Sequence, residues 1–487
     1  MAGPDVGPVL NIDNWHYRAE GSSSFVIFNP KIRRILKLRK TDARDSSQKV
    51  CDEDWTLCHD YVKTLIQPIL GSKFICLPKM IPTTRKFLEA AIQRFGHQRP
   101  EKRRGSQIDV NKSYVLSFPD FCFLPSPEKT SDNPTFSIEI KPKKGFLPVS
   151  HHIPDDLAIK YSVCRVCLHQ HHKVQNGVWE HHSQYCPLDL FSCDPPRMKY
   201  CLNMLLRNPQ NNFRICKDGV LIYQVFEKST PSLQEQQDLV NQLKPYFGDG
   251  TSTEMIEENP LESSCVQAFL DVLIRTLLSN NVQNGITHHV SSRPSLGAQF
   301  CKESGYKTKD SFQTSVKAEG IENCILQRLL AAQSLSVLEI DEIYPLYLKV
   351  LKYLEEHPED SHNYILDFPY GGTFNYADGV HLGISNNGSN GKKLDLSNVS
   401  IKDAVQLIRE FLITRTVKDC SIMVAAQLVD ENYDGGALCM PNGKSYLHSA
   451  VVIDLDPKPS SRIPTYERTD RKIAQEYLSH SMEKTGK

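Results

Sequence analysis

The chain has 487 residues, with 57 Lys and Arg against 57 Asp and Glu and a formal net charge of zero. That length exceeds one ordinary hydrophobic core and calls for two or three folded units, and 40% hydrophobic with 23% charged residues excludes a disordered chain. The charge balance also excludes a generally basic polymer binder and an acidic tail, so affinity for anions must come from where the cations sit.

Met1 to Trp15 has neither a basic start nor an apolar core, so no signal peptide is expected. No apolar run reaches the roughly 18 residues that span a bilayer, so no membrane partner is expected. The 15 cysteines are scattered, which predicts reduced thiols in the cytoplasm or nucleus and leaves room for a local metal site.

In chain order, Gly21-Ser22-Ser23-Ser24 is a small-residue loop, followed by short β-compatible runs at Ser24–Phe28 and Arg34–Leu38. Helical spacing of Trp55, Cys58, Val62, Leu65 and Ile66 predicts a helix over Asp54–Leu70, stopped near Gly71. Tyr114–Phe118 and Thr135–Ile140 read as further strands. Residues 1–150 are therefore expected to form a nucleotide-cradling lobe, and 151–479 a larger lobe. Helices are predicted at Ser264–Leu278, Asn323–Ala332, Ile340–Glu356 and Ile401–Ile413, and strands at Ile422–Leu428 and Leu447–Leu455. Asn280–Gly320 is poor in apolar residues and reads as a mobile insert, Glu431–Tyr446 and Asn386–Lys393 as loops, and 480–487 as a flexible tail. The fold class is α+β.

Four segments carry candidate chemistry. In Glu139-Ile140-Lys141-Pro142-Lys143, period-two alternation would project Glu139, Lys141 and Lys143 together, while a solvated lysine run is the bland alternative. The apolar run Val451-Val452-Ile453 leads into Asp454 and Asp456, and a strand ending in carboxylates suits Mg²⁺. Lys458, Arg462 and Tyr466 recur every four residues, which on a helical turn would align two cations and a phenol around an anion. Asp419 lies between a helix and a strand, where it could take a proton from a hydroxyl. Cys164-x-x-Cys167 with Cys186, and His169, His181 and His182 nearby, offers soft ligands for zinc, against the alternative of buried thiols beside a basic helix face carrying His169 and Lys173.

The order of these segments, with Tyr185-Cys-Pro-Leu-Asp-Leu-Phe-Ser192, Gln210-Asn-Asn212 and Lys418-Asp-Cys-Ser-Ile-Met423, resembles the inositol-pentakisphosphate 2-kinase family from about Trp15 to Tyr466. The resemblance implies a two-lobed kinase-like fold, with ATP and Mg²⁺ used to phosphorylate inositol pentakisphosphate. By it, Gly21, Ser22, Ser23 and Ser24 would cover the nucleotide, with Lys37 as its cation and Phe118, Pro119 and Asp120 as the hinge. Glu139, Lys141 and Arg214 would also face the nucleotide, and Asp454 would carry Mg²⁺. Asp419 would orient or deprotonate the hydroxyl. Arg103, Lys143, Lys173, Asn211, Lys458, Arg462 and Tyr466 would hold phosphates, with His169 close by. A monomer is expected, and nucleic acid is not an expected partner. A catalytically weak inositol-phosphate- or RNA-binding scaffold, and a zinc-dependent adaptor centred on Cys164–Cys186, are the competing readings.

Overall fold

The computed structural model of the protein describes residues 11–21, 23–42, 53–125, 131–150, 152–210, 213–224, 230–248, 259–280, 323–336, 338–370, 396–429 and 436–485. Ser22, Asn211, the Asn386–Lys393 loop and nearly all of the 280–320 insert lie outside the described residues.

Two six-stranded antiparallel sheets organise these residues. The first runs β1 (His16–Glu20), β2 (Ser24–Asn29), β3 (Arg34–Asp42), β6 (Tyr114–Pro119), β4 (Lys79–Pro82), with β5 (Ser106–Ile108) paired to β3. Successive strand residues face opposite sides. Phe25, Ile27, Leu36, Leu38 and Val115 accordingly bury against Phe87, Leu88, Ala91 and Phe95 of the helix Arg85–Phe95. Thr84 caps that helix by accepting the Phe87 N–H at 3.2 Å. The other face presents Leu116 and Phe118 to Trp55 and Cys58 of the helix Glu53–Tyr61. That helix continues through a π-turn at Val62–Ile66 to Gln67–Leu70 and stops at Gly71, whose φ of +90° suits glycine.

The second sheet runs β11 (Leu438–Cys439), β12 (Ser445–Ile453), β10 (Ser421–Val429), β7 (Thr135–Ile140), β8 (Phe213–Lys217), β9 (Val220–Tyr223). Sheet membership therefore changes between Pro119 and Thr135, ahead of the expected boundary at 150. All six β7 residues are buried. A strand closed on both faces needs flanking strands, and β10 and β8 supply them, with Ile138 opposite Val424 and Ile215. Helices Pro195–Arg207, Leu233–Phe247, Ser264–Leu278 and Ile325–Gln333 share the core that Phe136, Ile138 and Ile140 enter. Another core joins the helices Ile340–Glu356 and Ile401–Val417 to Ile463. The fold is α+β, as the composition of its elements predicts, and no helix among the described residues is long and apolar enough to cross a membrane.

Three local expectations are corrected. The helix Ile463–Thr485 runs through most of the expected tail, since no glycine or proline interrupts it after Pro464 in its first turn. Lys458 precedes this helix, separated by Pro459 and a 3₁₀ turn at Ser460–Arg462, so it does not share a helical stripe with Tyr466. The Glu431–Tyr446 stretch contains β11 and the start of β12, paired at Leu438–Tyr446 and Cys439–Ser445.

The turn after β7 is pinned by the buried amide of Gln333, which accepts from the Gly145 N–H at 2.9 Å and donates to the Lys143 carbonyl at 2.8 Å. A Cβ at Gly145 would collide with the Phe191 ring. Gly145→Ala is expected to cost about 1–3 kcal/mol through overpacking and lower the melting temperature by a few degrees. An unchanged thermal melt would refute this packing constraint.

Candidate active site

Antiparallel register brings the candidate segments to one edge of the second sheet. Ile422 of β10 lies opposite Ile140 of β7, and Ser421 opposite Ile453 of β12. The end of β7, the start of β10 and the end of β12 therefore coincide, delivering Lys141–Lys143, Asp419 and Asp454–Lys458 to the same place. The chain leaves both outer strands abruptly, with Lys143 at φ +63° and Asp454 at φ +61°. These left-handed residues break the period-two alternation. Glu139, Lys141 and Lys143 take three different ion-pair partners while Glu139 and Lys141 stay close enough to shift one another, and Asp454 and Asp456 pair with different lysines.

Each acid meets cations from distant segments. Lys143 Nζ donates to Asp419 Oδ1 and Lys458 Nζ to Asp419 Oδ2, both at 3.1 Å. Lys141 lies 3.5 Å from Asp454. Lys37 spans from the first sheet to Asp456, donating to both oxygens at 2.7 Å. Glu139 pairs with Arg214, its cross-strand neighbour on β8.

These contacts set the protonation states. Burial pushes the Asp419 carboxyl up, but Lys143 and Lys458 outweigh it and hold it well below the usual carboxylate range. Its side chain is 54% exposed, so water screens part of the effect. Burial raises and Lys37 lowers the Asp456 carboxyl, with a net lowering. Lys141 is raised because Asp454 and Glu139 outweigh its desolvation, whereas desolvation prevails at Lys143 and lowers it. His169 is pushed down to about 3 by burial and by Arg165 and Lys173, and is neutral at ordinary pH.

The first sheet carries Lys37 to Asp456 and other segments expected to meet the nucleotide. The Gly21–Ser24 turn joins β1 to β2, with the Gly21 N–H donating to Ser24 O at 2.9 Å. Lys40 Nζ donates to Gly21 O at 2.9 Å and pairs with Glu20 at 3.0 Å, both side chains fully buried. Glu20 also holds Arg99, whose Nη2 donates to the Arg103 and Ser106 carbonyls at 2.7 Å. One buried carboxylate thus fixes both the loop and the backbone that carries Arg103. Phe118 and Pro119 end β6. The Asp120 carboxylate is taken by Arg18 at 2.5 Å and by the Cys122 N–H at 3.0 Å, which makes its side chain a structural clamp.

Lys173 and His169 lie on the helix Arg165–Gln175, and Lys173 Nζ sits 4.0 Å over the Trp179 ring. At the start of that helix the Sγ atoms of Cys164, Cys167 and Cys186 lie within 4.8 Å of one another. Cys164 is 3.3 Å from Cys167 and 3.7 Å from Cys186. Thiol hydrogen bonds from Cys167 and Cys186 push the Cys164 thiol down strongly. Among the described residues this group consists of the three cysteines, and His169, His181 and His182 do not join it.

Sequence reasoning missed Glu20, Arg165 and Arg415, and gave Lys418 no role of its own although it lies in a motif. Each is one charged residue in an ordinary local context, with partners far along the chain, and no spacing signals it.

The site gathers lysines and an arginine around acids at the strand ends of the second sheet, with Lys37 reaching it from the first. The sequence matches the family model described as inositol-pentakisphosphate 2-kinase over residues 17–472. It is 31% identical to the inositol-pentakisphosphate 2-kinase of Danio rerio, over 96% of this chain and 94% of that protein. It is 25% identical to the protein of the same name from Arabidopsis thaliana, over 95% and 93% of the two chains. The chain belongs to the inositol-pentakisphosphate 2-kinase family.

Lys418, beside Asp419, is buried near Lys144, Glu339 and Arg415, and burial followed by Lys144 pushes it down from 10.5 to about 7. Folding releases its proton between those values, so stability rises with pH across the window and is lost as pH falls from 10.5 through 7. Lys418→Met is expected to raise the melting temperature more at pH 6 than at pH 9. Equal shifts at the two pH values would show that Lys418 does not titrate in this way.

Proposed function

We propose that the chain transfers the γ-phosphoryl group of ATP to the axial 2-hydroxyl of inositol 1,3,4,5,6-pentakisphosphate, giving inositol hexakisphosphate and ADP. The observation that carries this reading is Asp419, an ionised carboxylate suspended between Lys143 and Lys458 at the meeting point of three strand ends. Phosphoryl transfer needs in-line placement and neutralised charge more than covalent help. A substrate with five phosphates at about −1.5 to −2 each requires cations from several segments. In this reading Lys143, Lys458, Arg462, Tyr466, Lys173, Arg103 and Asn211 hold those phosphates, with His169 near them.

The substrate hydroxyl donates to Asp419, which fixes its direction and receives its proton as the new P–O bond forms. Gly21–Ser24, Lys37, Glu139, Lys141 and Arg214 line the nucleotide side, and the hinge Phe118–Asp120 meets the base through its backbone. Asp454 fits Mg²⁺: its carboxylate is half exposed and its nearest ammonium is 3.5 Å away, and one or two carboxylates completed by phosphate oxygens and water are usual for this ion. Bound there, Mg²⁺ would neutralise charge on the transferring phosphates.

Incubation with Mg-ATP and inositol pentakisphosphate, with products separated by charge, is expected to yield the hexakisphosphate. Asp419→Asn is expected to lower kcat by about 10²–10⁴ while pentakisphosphate binding persists. A wild-type protein that binds the substrate but forms no product would favour the scaffold reading instead.

The thiol group supports a second assignment, zinc held by Cys164, Cys167 and Cys186. Zn–S bonds of about 2.3 Å in tetrahedral array place sulfurs about 3.8 Å apart; the Cys164–Cys186 separation of 3.7 Å matches that value and the Cys164–Cys167 separation of 3.3 Å is shorter. Such a site would fasten the Arg165–Gln175 helix, and hence Lys173, to the segment before Pro187. Elemental analysis should find about one zinc per chain, lost together with several degrees of melting temperature in Cys186→Ser. Metal-free wild-type protein of unchanged stability after chelation would dismiss this assignment.

A further inference from the structure

Arg415 lies outside the ion pairs that gather around Asp419, Asp454 and Asp456. It occupies the last turn of the helix Ile401–Val417, four residues before Asp419. Its guanidinium carbon lies 4.4 Å over the ring of Tyr466. Tyr466 is followed one turn later on its own helix by Asp470, which accepts from Arg165 Nε at 2.9 Å. Arg165, Arg214, Arg18 and Arg99 each hold a carboxylate. Arg415 is half-buried; its guanidinium is stacked on an aromatic ring, with the Asp470 and Asp419 carboxylates near enough to favour its charge.

A guanidinium in that setting is costly. Its N–H donors are partly drawn from water, and Arg165 adds repulsion that Asp470 and Asp419 offset only in part. Desolvation followed by Arg165 accordingly lowers its proton affinity. A cation near a helix C-terminus gains from the dipole, but that gain and the two carboxylates do not outweigh the partial desolvation. The ring of Tyr466 fixes the guanidinium plane without using its N–H groups. What the arrangement lacks is an anion with two oxygens to meet the fork.

We propose that Arg415 is a further phosphate-binding residue, its fork taking one phosphate of the inositol phosphate held by Lys143, Lys458, Arg462 and Tyr466. The proposal rests on the reading of the cleft as an inositol phosphate site. Arg415 reaches that cleft from the same helix end that delivers Asp419, so the phosphate it holds is fixed relative to the carboxylate that meets the hydroxyl. Lysine would keep the charge but not the two parallel bonds.

The test compares wild type, Arg415→Met and Arg415→Lys in steady-state kinetics and in calorimetric binding of inositol pentakisphosphate. In Arg415→Met, KM for the pentakisphosphate should rise about tenfold, as expected for one lost charge-assisted contact, with kcat and KM for ATP within about twofold. Arg415→Lys should fall between. An unchanged pentakisphosphate KM overturns the proposal, and so does a parallel loss in kcat and both KM values accompanied by a lower melting temperature. Should Arg415→Met not fold, Arg415→Lys decides alone, a KM rise of about threefold supporting the proposal and an unchanged KM overturning it. A wild-type chain without turnover would remove the kinase reading, and the calorimetric comparison would still decide whether Arg415 binds the ligand.

Discussion

Cations that must later meet a polyanion have to coexist before it arrives. Two ammonium groups about 5 Å apart repel by about 3 kcal/mol at an effective dielectric near 20, which is a large share of a protein's net stability. The cleft answers this by interleaving carboxylates among the cations. Asp419 stands between Lys143 and Lys458, Asp454 beside Lys141, Asp456 against Lys37 and Glu139 against Arg214. The exposed pairs contribute little stability individually. Their importance lies in keeping positive charge gathered in one place, and a neutral chain becomes locally basic only when incoming phosphates compete for those ammonium groups.

That interleaving depends on backbone register more than on any side chain. Because β7, β10 and β12 lie adjacent and end together, three segments up to about three hundred residues apart deliver their charged residues to one edge. The left-handed turns at Lys143 and Asp454 then spread the charges sideways, so that each acid finds its own cation. A strictly extended exit would have stacked Lys141 and Lys143 on one side and Asp454 and Asp456 on another, with like charges facing each other.

What the sequence made legible follows from the range of the interactions involved. The helices Ser264–Leu278 and Ile340–Glu356 occupy the bounds that their apolar spacing predicts, because a helix is a local structure with a stripe to bury. The end of β12 was visible as an apolar run leading into carboxylates. The sheet to which β7 belongs was not, since strand pairing is non-local and the segment's own pattern is the same in either sheet. Nor could spacing show that Lys37 would find Asp456, or that Glu20 would fix both the Gly21–Ser24 turn and the Arg103 segment through Lys40 and Arg99. The family resemblance singled out Asp419 and Lys143 as expected site residues, but their contact appears only with the fold.

The contact bears on how Asp419 can act. A carboxylate held by two ammonium groups has its proton affinity reduced, and it is a poor base while both remain in place. In a loose transition state the attacking oxygen carries little bond to phosphorus until late, so early removal of its proton gains little. In the proposed reaction a weakly basic carboxylate would suit that sequence: it would accept a hydrogen bond, aim the hydroxyl, and take the proton only as the P–O bond completes. Phosphates that draw Lys143 and Lys458 toward themselves would also weaken their hold on Asp419 and return basicity to it when the substrate is seated. On the proposed reaction, the lysines that bind the phosphates would be the same groups that regulate the base, and binding and proton transfer would be tied through a single carboxylate.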